Sequence, residues 1–395
     1  MKLLKIVVTG IPLFQGKCEI DFLAQQRVDD EDSKDMSVIF SKGKQSFYQN
    51  NVLSFVGINA SGKTTVLKLI TFVCRMLNNE PINNIDCLEI LDSVEEKTTV
   101  QFDMYFYANN INTVPFDGGA INFLRTNITK ENGKYRITYE TLKSKSLSKV
   151  TAKKQLFDFS EIEINLSRQI NNEYLLDDVS IMVAFNKKNF EKIILLDMLK
   201  YTNINQLSIS KDCPLELIAF FDSSVEYLKF KKLEKDTNIC LKFKGKEEII
   251  LNQLSEINRY LSSGTIKGIN IFLNAMETFK TGGYLIVDEL ENHFNREIVS
   301  TLIRLFMDAK VNPKGAMLIF STHYSELLDE FDRNDNIYII RNRQGIFVEN
   351  LSLLLKRNDI KKSEAYQSGF LEGTVPMYDS YMDLKKALIS ASMEN

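Results

Sequence analysis

Eight consecutive residues, Gly57-Ile58-Asn59-Ala60-Ser61-Gly62-Lys63-Thr64, constrain this chain more than any other stretch. They spell G-x-x-x-x-G-K-T, a phosphate-binding loop when it stands between a strand and a helix. Both flanks are present. Val52-Leu53-Ser54-Phe55-Val56 is an apolar run suited to a buried strand, and Thr65 to Val73 reads as a helix. Glycines let successive backbone N–H groups turn inward around a phosphate, and the helix N-terminus adds the positive end of its dipole. Gly57, Asn59, Ala60, Ser61, Gly62, Lys63, Thr64 and Thr65 are therefore the expected phosphate cradle. Lys63 is placed to reach the β- and γ-phosphates and the Thr64 hydroxyl to hold Mg²⁺. The expected ligand is ATP with Mg²⁺.

A second apolar run, Tyr284-Leu285-Ile286-Val287, leads into Asp288-Glu289. Acidic residues at the carboxyl end of a buried strand suit phosphoryl transfer. Asp288 is expected in the Mg²⁺ shell, directly or through water, and Glu289 is expected to polarise an attacking water. A third run, Met317-Leu318-Ile319-Phe320, ends in Ser321-Thr322-His323, one of only two histidines in the chain.

With 395 residues, 44% hydrophobic and 26% charged, the chain has apolar mass for a large core, and its length suggests about two or three domains. No run of roughly eighteen apolar residues occurs, which argues against a membrane span. Met1 to Val8 reads as a first strand rather than a leader, since its apolar run stops at Thr9-Gly10. Five scattered cysteines without C-x-x-C spacing argue against a disulfide framework or zinc site, and for a reducing cytoplasm. A net charge of −3 argues against a protein that coats nucleic acid. The basic run Lys143, Lys145, Lys149, Lys153 and Lys154 reads either as a solvated loop or helix face or as a local nucleic-acid patch.

Leu261-Ser262-Ser263-Gly264-Thr265, followed by Lys267, reads in isolation as a polar helix cap at Ser262 or Ser263. In order with the phosphate loop, the acidic pair and His323, it resembles the signature motif of ABC-type ATPases, and His323 resembles their switch histidine. The finer pattern, with Asp288-Glu289-Leu290-Glu291-Asn292, resembles the RecF, SMC and OLD-nuclease lineage, above all the single-chain ATPases of bacterial anti-phage and abortive-infection systems. The resemblance covers residues 1–75 and 255–350. It implies an ATPase in which Glu289, His323 and Lys63 are catalytic, Thr64 and Asp288 hold the metal, and Ser262, Ser263 and Gly264 complete the nucleotide cage of a second subunit. The chain departs from that pattern twice. Asn295 stands where relatives often carry a histidine, with His293 nearby instead, and Gln101 is the nearest candidate for the glutamine that follows the first helix.

The implied fold is α/β: a P-loop NTPase with an ABC-type head, a mostly parallel core sheet, an antiparallel β-layer and a helical insertion. Residues 1–144 and 256–350 are read as the two parts of the head, 145–255 as a mostly helical insertion or lid, and 351–395 as a helical tail broken near Gly369, Gly373 and Pro376. Strands are expected at 3–9, 17–23, 98–107 and 135–139, the last after an Asn132-Gly133 turn, with a hairpin spanning 337–348. The absence of sustained heptads excludes coiled-coil arms. Glu364, Glu372, Asp379 and Asp383 in the tail lie in too little chain to build a nuclease core. The resemblance then implies a homodimer, or an oligomer of dimers, that senses infection and regulates a separately encoded toxin or nuclease. The alternative is a RecF-like DNA-repair ATPase that binds duplex across its dimer.

Overall fold

A computed structural model describes residues 1–42, 45–108, 119–147, 150, 155–168, 175–201, 207, 212–232, 237–371, 373–374 and 378–393. The N-terminal strands are β1 (Lys2–Thr9), β2 (Lys17–Asp21), β3 (Ser37–Lys42), β4 (Gln45–Gln49) and β5 (Val52–Val56), followed by helix α1 (Lys63–Leu77). Next come β6 (Thr99–Ala108), β7 (Ala120–Glu131), β8 (Lys134–Ser146), β9 (Ile164–Ser167), α2 (Met182–Asn189), β10 (Leu195–Asp197) and α3 (Leu215–Phe221). Strands β11 (Val225–Lys232), β12 (Thr237–Phe243) and β13 (Glu248–Leu251) precede α4 (Ser263–Thr281), β14 (Tyr284–Val287), α5 (Arg296–Met307) and β15 (Met317–Thr322). The chain continues through β16 (Ile337–Asn342), β17 (Ile346–Asn350), α6 (Leu351–Leu354), α7 (Lys362–Gln367) and α8 (Tyr378–Met393).

The core sheet runs β10-β14-β15-β5-β16-β17, parallel throughout except for β17 against β16. Every residue of β5, β14 and β15 is buried. That is the reason their sequences are short apolar runs with no polar alternation. Register pairs Val287 with Phe320 and Thr322 with Val56, so the carboxyl ends of three neighbouring strands reach one edge together. Ligands of open α/β sheets bind outside such an edge.

A second sheet, β2-β1-β6-β7-β8-β9, is antiparallel. Between β7 and β8, Asn132 (φ 51°) and Gly133 (φ 73°) make a two-residue turn with both central residues left-handed, the geometry that Asn-Gly favours. Helix α1 is packed between the two sheets. Val66, Leu67, Ile70 and Val73 share one core with Ile6 and Val8 of β1, Phe102 and Met104 of β6, and Leu53 and Phe55 of β5. The other face of the core sheet is covered by Ile271, Phe272 and Ala275 of α4, Leu302, Ile303 and Phe306 of α5, and Leu351 and Tyr366 of the tail. A third core joins Ile266 and Ile269 of α4 to Leu228, Ile239, Leu241 and Leu251 of the sheet β11-β12-β13. Helix α4 is thus clamped between the core sheet and this small lobe.

The expectation of a mostly helical 145–255 is corrected. Among its described residues α2 and α3 are short, β9 extends the antiparallel layer, β10 is an edge strand of the core sheet, and β11–β13 form a sheet of their own. The period-two signal of β11 is broken by a register irregularity between Val225 and Tyr227, which puts Val225 and Leu228, three apart, on the buried side. That spacing imitates a helix. The basic run is corrected in part as well. Lys145 is buried on β8 with its ammonium on the carbonyls of Gln155 and Asp158, and Lys143 donates to that of Phe159. Lys149, Lys153 and Lys154 lie outside the described residues, as do Glu372 and Pro376. The described residues after β17 hold the helices α6, α7 and α8. All five cysteines are free and buried, and no helix among the described residues is long and apolar enough to cross a membrane.

Candidate nucleotide-binding site

The loop after β5 closes tightly. Ser61 N–H donates to the Ile58 carbonyl at 3.2 Å, Ala60 and Gly62 take left-handed backbones (φ 61° and 100°), and α1 begins at Lys63. A Cβ on Gly57 would sit 2.4 Å from Ser61 Oγ and 2.6 Å from the Ile340 carbonyl, and one on Gly62 would sit 2.5 Å from Ile346 Cδ1. Both glycines are therefore required by close approach.

Lys63 is 5% exposed, and no carboxylate among the described residues lies within ion-pair distance of it. Its ammonium donates to the carbonyls of Gly57 (3.0 Å) and Ile58 (3.1 Å) and to His323 Nδ1 (3.0 Å). Burial holds its pKa below the ordinary lysine value, against the pull of Asp288, Glu291 and Glu289. An ammonium so desolvated favours an anion beside it. His323 Nδ1 lies between the Lys63 ammonium (3.0 Å) and the Gly57 carbonyl (3.1 Å), and its Nε2 lies 3.3 Å from Glu289 Oε1; in the tautomer where Nδ1 accepts from the ammonium, Nε2–H donates to Glu289.

The two acidic residues are fixed by β15. Ser321 Oγ donates to Asp288 Oδ1 and accepts from Glu289 N–H at 2.8 Å, while Thr64 Oγ1 donates to Asp288 Oδ2 at 2.7 Å. Glu289 has a left-handed backbone (φ 45°), and its Oε2 accepts from Asn292 Nδ2 at 2.5 Å. Burial raises the Glu289 pKa, but the hydrogen bonds from Asn292 and His323 outweigh it and hold the carboxyl below its usual value. It stands as a carboxylate at neutral pH. Glu291 is buried, and its Oε1 accepts the His323 N–H at 2.6 Å. Three strand ends are thereby tied into one hydrogen-bonded cluster.

An open cleft of about 740 Å³ adjoins this cluster, within the roughly 300–1,000 Å³ of ligand pockets. Asn59, Ala60, Gly62, Lys63, Thr64, Thr65, Glu289 and His323 line it, together with Pro12, Leu13 and the β16–β17 turn. Residues 52–329, more than half of the chain, match a protein family described as "AAA domain, putative AbiEii toxin, Type IV TA system". The chain belongs to this family. No curated protein matches it with significant similarity.

As a member of the AAA-domain family the chain is a P-loop ATPase domain of AAA/ABC-like type, built on a mixed α/β fold with a parallel-containing sheet. Within this AAA domain the geometry brings together Gly57, Lys63, Thr64, Asp288, Glu289 and His323, with Asn59, Ala60 and Thr65 beside them. Ser61 turns its buried hydroxyl into the loop, where it has no hydrogen-bond partner among the described residues. Ser262, Ser263 and Gly264 do not line the cleft. Ser262 caps α4, its Oγ accepting from Thr265 N–H at 3.1 Å, as the cap reading of this segment expects. Asn295 caps α5. His293 Nδ1 lies 3.4 Å from Ser263 Oγ. Gln101 is on β6 with its amide on Asp103, in the antiparallel layer, and it does not line the cleft.

Sequence reasoning quoted Ser321, Glu291, Asn292 and Lys267 within or beside its motifs but gave none of them a role. Ser321 is polar at the end of an otherwise apolar buried strand, which is the signal that could have found it.

Proposed function

We propose that this chain binds ATP with Mg²⁺ in the cleft at the carboxyl ends of β5, β14 and β15 and hydrolyses it. One observation carries the reading: the Lys63–His323–Glu289 chain of hydrogen bonds and the Thr64–Asp288 pair converge on a single cleft. The residues fit the ligand. The loop is one that a Cβ would fill, and its lysine is buried with only carbonyls and an imidazole as partners. No group of three or more His, Cys, Asp or Glu poised for a metal occurs among the described residues, which suits Mg²⁺ held by one carboxylate, a hydroxyl and phosphate oxygens.

In this reading the loop N–H groups and Lys63 bind and orient the β- and γ-phosphates, and Thr64 and Asp288 hold Mg²⁺. The bound ion would neutralise charge on the phosphates. Glu289, ionised and aimed by Asn292, takes the proton of an in-line water, and His323 keeps that carboxylate and Lys63 in register. Ser262, Ser263 and Gly264 lie outside the cleft, which supports their serving the nucleotide of a second copy in an ABC-type sandwich dimer. Residues 1–144 and 256–350 would then be the head, 145–255 an insertion that bears on α4, and 351–395 a tail for assembly. The family's description, a putative toxin of a type IV toxin–antitoxin system, supports a defence-related ATPase, and on our reading the chain is a cytoplasmic regulator of a separately encoded toxin or nuclease. DNA binding gains no support from Lys143 and Lys145, whose ammonium groups are spent on main-chain carbonyls.

The test is phosphate release from ATP by the purified chain with and without Mg²⁺. Metal-dependent turnover supports the reading, and nucleotide binding without any turnover would reduce it to a binding module.

A further inference from the structure

Helix α4 carries Ser262, Ser263 and Gly264 at its first turn and Lys267 one turn further on. Lys267 is 5% exposed. A buried ammonium needs compensation, since taking a charged group out of water is costly. Among the described residues no carboxylate lies within ion-pair distance of it. Its Nζ donates instead to the main-chain carbonyl of Glu289 at 3.1 Å and lies 5.6 Å from the centroid of the Phe294 ring.

That carbonyl belongs to a residue that needs holding. A left-handed backbone at a non-glycine residue persists only where its surroundings determine it. Glu289 has four such ties. Its N–H donates to Ser321 Oγ at 2.8 Å, the next N–H (Leu290) donates to the Ser321 carbonyl at 3.1 Å, and its own carbonyl accepts from Asn292 N–H at 3.0 Å and from Lys267. Three ties come from its own loop and β15. The fourth comes from α4. The same helix meets the loop twice more, at the Ser263–His293 contact and at Gly264, where a Cβ would stand 2.6 Å from the His293 carbonyl.

We propose that Lys267 is a positioning residue for hydrolysis. It locks the Glu289 main chain to α4, so that movement of the helix's first turn resets the Glu289 carboxylate of the same chain. The inference rests on the reading above, in which Glu289 activates water and the first turn of α4 engages a nucleotide held by a second copy. In that arrangement each nucleotide, by gripping α4 of the opposite copy, sets the base of the opposite site, and the two sites fire cooperatively.

The experiment compares full-length Lys267→Met, Lys267→Arg and Glu289→Gln with the unaltered chain. ATP binding is read with a fluorescent analogue, steady-state turnover by phosphate release, and folding by thermal melting. Lys267→Met is expected to bind ATP within about two-fold of the parent, to lose about 10- to 100-fold in kcat with KM unmoved, and to flatten any sigmoidal dependence on ATP. Lys267→Arg is expected to restore most of kcat, because a guanidinium can donate to the same carbonyl. Turnover in Lys267→Met within about two-fold of the parent, with Glu289→Gln inactive, overturns the proposal and leaves the hydrolysis reading standing. A loss in Lys267→Met that follows a lowered melting temperature, with no rescue by Lys267→Arg, also overturns it. Parental turnover in Glu289→Gln removes the Glu289 assignment itself and this inference with it.

Discussion

The carboxyl edge of the core sheet and the lobe β11–β13 sit on opposite sides of α4 and are built on different principles. At the edge, three strands buried on both faces end together, and the chemistry lies in the first residues beyond each end: Gly57 to Thr64, Asp288-Glu289 and His323. In the lobe, the outer strands β11 and β13 are buried on one face only, while the central β12 buries Ile239, Cys240 and Leu241 in succession. Leu228, Ile239, Leu241 and Leu251 point into a small core, while Lys229, Lys244 and Lys246 stand outside. The edge is positioned by backbone register and dense hydrogen bonding. The lobe is held by apolar packing against α4, whose first turns meet the Glu289 loop. Chemistry and its control are divided here between two kinds of interaction, which mutation can separate.

The division can be broken most severely at Lys63. Lys63→Ala should weaken ATP binding by about 10²–10³-fold, through loss of a charge-assisted contact, with little change in melting temperature, since a desolvated ammonium is removed. Titration with a fluorescent nucleotide checks this, and near-parental affinity would undo the edge half of the comparison. Next in size, Leu241→Ala in the lobe core should cost about 2–5 kcal/mol of stability by leaving a cavity. Hydrogen exchange should show the loss concentrated in β11–β13 and the facing side of α4, with ATP affinity little altered. Exposure spreading equally to β5 would show that the lobe is not a separate unit. The smallest effect belongs to Ser262→Ala, which removes the α4 cap and should cost about 1 kcal/mol. Because Ser262 is also proposed to serve a second copy's nucleotide, its turnover should fall further than that stability loss explains.

How much of this was legible in the sequence follows the same line. The phosphate loop, the acidic pair and His323 could be read because each is a short motif at the end of an apolar run, and the Asn132-Gly133 turn because its geometry is nearly residue-specific. Strand β7 escaped notice: Asn122, Thr126 and Thr129 are polar yet buried inside the antiparallel layer, where strand-to-strand partners such as Glu140 satisfy them. The lobe read as helical because an irregularity in β11 replaced alternation with a spacing of three. Ser321, Asn292 and Lys267 gained meaning only from strand adjacency and from α4 lying against the Glu289 loop. No local pattern encodes those juxtapositions.

The most direct measurement of the central claim is Glu289→Gln with ATP and Mg²⁺, followed by phosphate release and by light scattering on a sizing column. The substitution keeps the side chain's shape and its amide oxygen can accept from one of the two donors, Asn292 or His323, while a carboxylate able to accept the water's proton is lost. The account predicts parental ATP affinity, turnover lowered by about 10²–10⁴-fold, and a dimer that accumulates with ATP and dissolves when Lys63 is also replaced. Parental turnover, or a mass unchanged by ATP, would contradict it.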